Sequence, residues 1–174
     1  MQWTTHIAGG AVAAGVIVTA YMNHDFSLGS EPVALIPGVF ALAVAGALTP
    51  DIDLKTSKMG QQAKTMSVVI NFLFGHRTLF HAPILYLLLY MVLKEPLHQY
   101  HILILAFTAG AFSHIVLDML NVKGIPLFYP VKGNYHIASI QNGGLAEKTV
   151  FISLLVTTAI IELRHIILVF SKAG

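Results

Sequence analysis

The sequence contains no cysteine and few charged residues. Without cysteine there is neither a disulfide framework nor a thiolate metal ligand, so a metal site in this chain must use nitrogen and oxygen donors. Only 10% of the residues are charged, whereas 56% are hydrophobic and the mean hydropathy is +0.74. A soluble domain of 174 residues needs far more charge on its surface. The composition therefore predicts an integral membrane protein whose first partner is the lipid bilayer.

Five apolar stretches are close to the length that a bilayer crossing needs. They run from Ile7 to Tyr21, Val33 to Thr49, Ala82 to Leu93, Ile102 to Leu117 and Thr149 to Phe170. The first has no preceding Lys or Arg and is expected to be retained rather than cleaved as a signal peptide. The third is short, so we expect its helix to begin near Thr78 and to include His81. The pattern predicts an all-α, polytopic membrane helical bundle of about five transmembrane helices in one domain, residues 1–174.

Two segments between the crossings have distinct character. Thr65 to Phe74 is apolar but too short to span a bilayer, which predicts a re-entrant or interfacial segment. The stretch from Asn121 to Lys148 is rich in glycine and proline, which predicts a capping loop of irregular or short-stranded structure.

Residues that can bind a metal occur at or near the ends of these crossings. They are His6, Asp51, Asp53, His76, His81, His114, Asp118 and Glu147. Because successive crossings alternate in direction, all eight are expected on one side of the membrane. Seven of the ten basic residues share that side: Lys55, Lys58, Lys64, Arg77, Lys123, Lys132 and Lys148. By the positive-inside rule this side is the cytoplasm, unless some of these lysines serve an anionic substrate instead.

The most regular motif is His114-Ile-Val-Leu-Asp118. Residues four apart share one face of a helix, so this imidazole and carboxylate can reach one metal ion or two neighbouring ones. The alternative is a buried histidine that donates to the aspartate without any metal.

Two aspartates follow the second crossing in Thr49-Pro50-Asp51-Ile52-Asp53. Proline disfavours helix at the residue before it, so the crossing should end near Thr49 and place both carboxylates just beyond the hydrocarbon. In irregular backbone they can converge, one bridging two cations and the other binding terminally. A helix cap plus a solvated charge is the alternative.

Three further positions complete the predicted set. His76 is expected in a loop and His81 at the start of the third crossing, with Arg77 between them. The Arg77 guanidinium suits a phosphate or carboxylate of a substrate, and a positive membrane anchor is the alternative. His6 precedes two glycines that would let another helix or a substrate approach closely, although a lone histidine here can also be merely interfacial.

The number of donors favours two metal ions. Four histidines and three aspartates (His6, Asp51, Asp53, His76, His81, His114 and Asp118) exceed what one four-coordinate zinc accepts. Two divalent ions bridged by an aspartate would use this number and leave room for water. Mixed imidazole and carboxylate ligands suit zinc, manganese or iron.

The ordered motifs resemble the membrane-bound metal-dependent hydrolases, a family of bacterial and archaeal inner-membrane proteins with a LexA-regulated member. The matching positions are His6 with its glycines, Pro50-Asp51-Ile52-Asp53, Gly75-His76-Arg77 with His81, Ser113-His114 with Leu117-Asp118, Gly124 with Pro126 and Pro130, and Glu147. They extend from Thr5 to Lys148, and their order is more specific than any single motif. Where the family often has Thr-His-Ser, this chain has Phe80-His81-Ala82. The resemblance implies hydrolysis at the inner membrane.

The residues themselves favour metal-assisted hydrolysis, in which two cations activate a bound water and polarise the attacked oxygen. Glu147 is expected to be an extra ligand or a proton acceptor. A site at the membrane surface beside Arg77, Lys123 and Lys132 suits a phosphoester of a lipid or amphiphile. A lipid ester or amide is the second choice of substrate.

A metal-ion transporter or sensor is the alternative from another functional class. A conduction path should place ligands at several depths or on both sides, because the ion must cross the membrane. The opposite side offers only Asp25, Glu31, Glu95 and scattered histidines, which favours an enzyme. We expect no nucleic-acid partner.

Overall fold

A computed structural model describes residues 1–23, 32–53, 79–131 and 133–173 of the chain. It contains α1 (Trp3–Asn23), α2 (Pro32–Leu48), α3 (Pro83–Leu93), α4 (His101–Met119) and α5 (Leu145–Ala173). The described residues include two isolated β-bridges and no β-strand. The predicted all-α bundle is therefore confirmed.

Four of the helices are long and apolar enough to cross a membrane. The spans are Trp3–Met22, Leu35–Ile52, His98–Met119 and Leu145–Leu168. The remaining helix, α3, has 11 residues. At about 1.5 Å per residue it is roughly 17 Å long, well short of a hydrocarbon core of roughly 30 Å. By length and composition, the described part of the chain therefore contains four candidate crossings, which supports a multi-pass protein.

The placement of His81 requires the α3 segment to run back along the bundle, although α3 is short. His81 Nε2 lies 3.9 Å from Asp118 Oδ2, near the end of α4. His101 begins α4, and a helix rises about 26 Å from there to Asp118. The chain must cover this distance between His81 and His101, so α3 and the turns that flank it return it to the far end of the bundle.

The start of α3 differs from the sequence prediction. The helix begins at Pro83, not near Thr78, and His81 lies before it in a 3-10 turn, Leu79–His81. The cause is Pro83, which disfavours helical geometry at the preceding residue and lacks a backbone N–H. Ala82 accordingly has an extended conformation, with φ −86° and ψ 121°.

The end of α2 follows the prediction. The helix stops at Leu48, and the chain continues as a 3-10 turn, Thr49–Asp53, that contains Pro50. The hydroxyl of Thr49 donates a 2.8 Å hydrogen bond to the Ala45 carbonyl in the last turn of the helix. Proline therefore delivers Asp51 at the end of a crossing, as the sequence indicated.

Two glycines bring α2 and α4 into backbone contact. A Cβ atom on Gly46 would lie 2.0 Å from the Phe107 carbonyl oxygen, and one on Gly110 would lie 1.9 Å from the Ala43 carbonyl oxygen. No side chain fits at either position, so the helices approach as closely as their backbones allow. This crossing fixes the spacing between the end of α2 and the end of α4.

The glycines that follow His6 have the same function on α1, as predicted. A Cβ atom on Gly10 would lie 2.9 Å from the Ala47 side chain, and one on Gly9 would lie 2.6 Å from Leu117 Cδ1. The first turns of α1 are therefore held against both α2 and α4.

The helix α5 packs along α1 and is otherwise exposed. Its one buried histidine, His165, was assigned no catalytic role from the sequence. The His165 ring lies 2.8 Å from Thr19 Oγ1 through Nε2 and 3.5 Å from Glu162 Oε2 through Nδ1. The contact with Thr19 joins α5 to α1, the contact with Glu162 lies within α5, and both give a polar ring inside a membrane span its partners.

Residues 120–144, hereafter the α4–α5 loop, fold back against the end of α4. Two isolated bridges shape the loop, Asn121 with Ile140 and Ile125 with Tyr135. Gly124 has a positive φ of 61°, and a Cβ there would lie 2.6 Å from the Tyr135 carbonyl oxygen. The prediction of irregular structure is confirmed for the described residues up to 144, which contain isolated bridges and no strand, whereas the helix α5 already begins at Leu145.

Candidate metal centre

Five of the predicted ligands meet where four parts of the chain converge. His6 comes from the first turn of α1, Asp51 from the turn after α2, His81 from the turn before α3, and His114 and Asp118 from the last turns of α4. His6, His81 and His114 are fully buried, and Asp118 is 1% exposed. These four donors are therefore shielded from bulk water.

The separations between these donors fit ligands around a cation. The carboxylate oxygens of Asp118 lie 3.4 Å from His6 Nε2, 3.7 Å from His114 Nε2 and 3.9 Å from His81 Nε2. Asp51 Oδ1 lies 3.8 Å from Nε2 of both His81 and His114. Two ligands that are each about 2.1 Å from a tetrahedral ion are about 3.4 Å apart. The separations of 3.7–3.9 Å are too long for hydrogen bonds, and the 3.4 Å separation also exceeds the usual N–H···O range of about 2.7–3.2 Å.

The donors form two overlapping groups that could each hold an ion. One comprises His6, Asp51 and His114, and the other His81, His114 and Asp118, with the ligand atoms of each group within 4.8 Å of one another. His114 belongs to both groups, but one nitrogen can bind only one ion. A second ion would therefore depend on an aspartate that bridges, the arrangement predicted from the donor count.

A backbone carbonyl of α2 sets the tautomer of His114. His114 Nδ1 lies 2.7 Å from the Ala47 carbonyl oxygen, which can only accept a hydrogen bond. Nδ1 therefore carries the proton, and the lone pair of Nε2 faces the carboxylates, as in histidines that bind metals. The His6 ring stacks on the His114 ring at 3.7 Å between centroids and 14° between planes.

The pair on α4 lacks the direct hydrogen bond that the metal-free alternative describes. His114 donates to Ala47 rather than to Asp118, whose Oδ2 is 3.7 Å from Nε2. Asp51 likewise does not fit a solvated charge, because its side chain is only 13% exposed and faces two imidazoles.

Several of the buried nitrogens lack ordinary partners. Among the residues that the structure describes, neither ring nitrogen of His6 has a hydrogen-bond partner, and neither does His114 Nε2. Buried polar atoms in folded proteins are nearly always satisfied. Nitrogen lone pairs directed at two carboxylates are what a divalent cation would satisfy.

A positive charge already contacts these donors. The buried amino group of Met1 donates a 2.6 Å hydrogen bond to Asp118 Oδ1. A buried carboxylate is costly without a cationic partner, and the Met1 amino group lies where such a partner would be. The site accommodates cationic groups.

Glu147 occupies a different place from the one expected of a ligand. It is buried in the first turn of α5, and neither group of metal donors includes it. Its Oε1 accepts hydrogen bonds from the Gln2 backbone N–H and from the Thr5 hydroxyl, and its Oε2 accepts one from the Gly143 N–H at 2.6 Å. The carboxylate therefore joins the start of α5 to the start of α1, next to His6.

The other predicted site residues cannot be placed. His76, Arg77 and the interfacial segment Thr65 to Phe74 lie outside the described residues, and so does the side chain of Asp53. Their roles stay predictions.

Sequence reasoning missed two features of the site. The Ala47 carbonyl carries no side-chain signature, although Pro50 three residues later marks the place where α2 ends and its carbonyls become available. The hydrogen bonds of Glu147 to α1 join residues 142 and 145 positions apart, and no local pattern predicts such contacts.

Comparison with known proteins gives three findings. The model of the family described as YdjM inner membrane protein matches residues 1–171. The protein YvsG of Bacillus subtilis (strain 168) is 31% identical over 130 residues, which is 75% of this chain and 74% of that protein. The inner membrane protein YdjM of Escherichia coli (strain K12) is 32% identical over 121 residues, which is 66% of this chain and 61% of the relative.

No solved structure matches the chain. The family match covers nearly the whole chain, and the four long apolar helices agree with its description. The protein is thus a multi-pass protein of the inner membrane, and it belongs to the YdjM inner membrane protein family.

Proposed function

We propose that the protein is a membrane-embedded, metal-dependent hydrolase. One observation carries the proposal: three imidazoles and two carboxylates from four separate elements meet in a buried cluster with the spacing of metal ligands. Burying so many ionisable groups within a membrane protein is costly unless they bind something.

The donor set suits two divalent ions of zinc, manganese or iron. His6, His81 and His114 supply imidazole nitrogens, and Asp51 and Asp118 supply oxygens, with Asp53 and His76 as further expected ligands. Bound divalent ions supply an activated water as the nucleophile and polarise the bond under attack.

Asp51 marks the side from which water and substrate reach the cluster. Its side chain is 13% exposed, whereas those of His81 and His114 are fully buried and that of Asp118 is 2% exposed. Among these four described ligands, Asp51 is therefore the one nearest to solvent. Asp51 also contacts two imidazoles, so it can orient a water molecule relative to both.

The position of the cluster favours a substrate from the membrane. His114 and Asp118 lie in the last turns of a crossing that ends at Met119, so the reaction takes place at the boundary between hydrocarbon and water. A phosphoester of a lipid or amphiphile fits this depth and the expected contact with Arg77. A lipid ester or amide is the second substrate class.

Removal of metal provides the first test. Purified protein should cleave a lipid phosphoester, lose this activity with a chelator, and regain it when zinc or manganese is returned, because bound ions would activate the attacking water. Phosphoester, ester and amide lipids are compared in parallel, and bound metal is measured by elemental analysis. Metal flux into liposomes without cleavage of any of these lipids would identify a transporter instead.

The proposed orientation puts the metal centre towards the cytoplasm. The chain has no cysteine of its own, so single introduced cysteines can be labelled specifically. In cells, cysteines at Ser57 and Ser139 should be protected from an impermeant thiol reagent, and one at Ser171 should be labelled from outside. Labelling of Ser57→Cys and Ser139→Cys from opposite sides would contradict the shared face on which the ligand set depends.

A further inference from the structure

We infer that the α4–α5 loop docks in the lipid headgroup region, with its exposed apolar side chains in contact with the acyl chains of anionic lipids. The inference concerns a surface outside the metal cluster and does not depend on hydrolysis. It assigns the loop a partner, the bilayer interface on the side of the metal centre.

The loop exposes large apolar side chains. Phe128 is 58% exposed, Val131 61% and Ile137 68%, and Val122 and Tyr135 are also exposed. A patch of this kind in contact with water is unfavourable and normally marks an interaction surface. The occupant must be apolar and must tolerate an irregular surface, as acyl chains do.

Hydrogen bonds hold the loop at the membrane boundary. The Ile137 N–H donates to the Met119 carbonyl at 2.8 Å, and the Ile140 N–H donates to the Leu120 carbonyl at 3.0 Å. Met119 is the last residue of the span that begins at His98. Ile137 therefore lies at the depth where the hydrocarbon ends, and the loop is continuous with the lipid-facing surface of the helices.

The composition of the loop selects a lipid surface over a protein. Residues 120–144 contain two lysines, Lys123 and Lys132, and no aspartate or glutamate. Basic residues beside apolar ones are attracted to anionic headgroups. The loop also contains Phe128, Tyr129 and Tyr135, and aromatic residues concentrate at membrane interfaces.

The loop has a rigid apolar contact within it. The rings of Phe128 and Tyr135 meet edge to face at 5.1 Å between centroids, and Tyr135 exchanges backbone hydrogen bonds with buried Ile125. The apolar surface is thus supported from beneath.

Val122 follows the metal-binding Asp118 by only four residues, so lipids held here would lie next to the cluster.

Tryptophan quenching by brominated lipid tests the inference directly. The only tryptophan, Trp3, is first replaced in Trp3→Phe, and then Phe128→Trp and Ile137→Trp are introduced separately into that background. Each protein is reconstituted in phosphatidylglycerol vesicles with or without bromine on the upper acyl chain. Both variants should lose most of their emission in brominated vesicles, because bromine quenches only at contact.

Two controls bracket this result. His136→Trp changes an exposed residue between Tyr135 and Ile137. In extended chain the side chain of residue 136 is expected on the side opposite to those of Tyr135 and Ile137, so this tryptophan should be quenched less. Leu155→Trp, on the exposed face of α5, should be quenched strongly and reports correct insertion. Val131→Trp replaces either loop variant that does not fold. The comparison is made in vesicles in which Leu155→Trp is quenched. The inference is wrong if either loop variant is then quenched no more strongly than His136→Trp.

Discussion

Replacing Asp118 with asparagine is expected to abolish hydrolysis and to remove most of the bound metal, while the protein still inserts and folds. Asparagine keeps the size of the side chain but removes the negative charge, which lies within 3.4–3.9 Å of three imidazoles. Substitutions just outside a metal's ligands already cost roughly 10–100-fold in affinity, and loss of a ligand should cost more. Metal content by elemental analysis and activity on a lipid phosphoester provide the two measurements.

His101→Gln is the matched control for Asp118→Asn. His101 begins the same helix at its far end, and its Nδ1 lies 2.9 Å from the nearby His98 carbonyl oxygen. Metal content and activity should both equal those of the wild type. A purified Asp118→Asn protein that kept its full metal complement and activity would reduce the α4 pair to a structural feature and overturn the proposed site.

The convergence of the ligands could be predicted because the membrane restricts the chain. Helices that cross a bilayer alternate in direction, so the ends of α1, α2 and α4 that carry His6, Asp51 and Asp118 had to share one side. This argument needs no knowledge of side-chain packing. It gives the face of the membrane on which the donors lie, but not the distances between them.

Proline sets two of the helix boundaries. Pro50 predicts the end of α2 within one residue. At Pro83 the same steric rule conflicts with the length that a full crossing needs, which predicts an earlier helix start, and the structure follows the proline. The structure instead covers the distance with turns on either side of α3. Length was the weaker criterion there.

The tautomer of His114 could not have been predicted from the sequence. It depends on the Ala47 carbonyl, 67 positions away, and on how closely α2 and α4 approach. A backbone acceptor is the same at every residue, so only the three-dimensional distance identifies it. The sequence shows the glycines that permit α2 and α4 to come close. It does not show which helix each glycine faces.

Replacing Gly46 with alanine is expected to push α2 and α4 apart. The added methyl would lie 2.0 Å from the Phe107 carbonyl oxygen, and backbone cannot rotate away as a side chain can. α2 and α4 must separate, which moves Asp51 and the Ala47 carbonyl away from His114. We expect a loss of about 1–3 kcal/mol in stability from overpacking, and a fall in metal affinity of roughly 10–100-fold, the range for changes outside the ligands themselves.

Gly38→Ala, in the same helix, separates this effect from the general consequences of changing a glycine. A Cβ at Gly38 would lie 3.3 Å from Leu103 Cδ2, the end of a flexible side chain that can shift. Because alanine is the better helix former by up to about 1 kcal/mol, this variant should be as stable as the wild type or more so. Unfolding in detergent and metal titration are measured for both variants. Equal metal affinity in Gly46→Ala and Gly38→Ala would mean that the close crossing of α2 and α4 does not position the metal ligands.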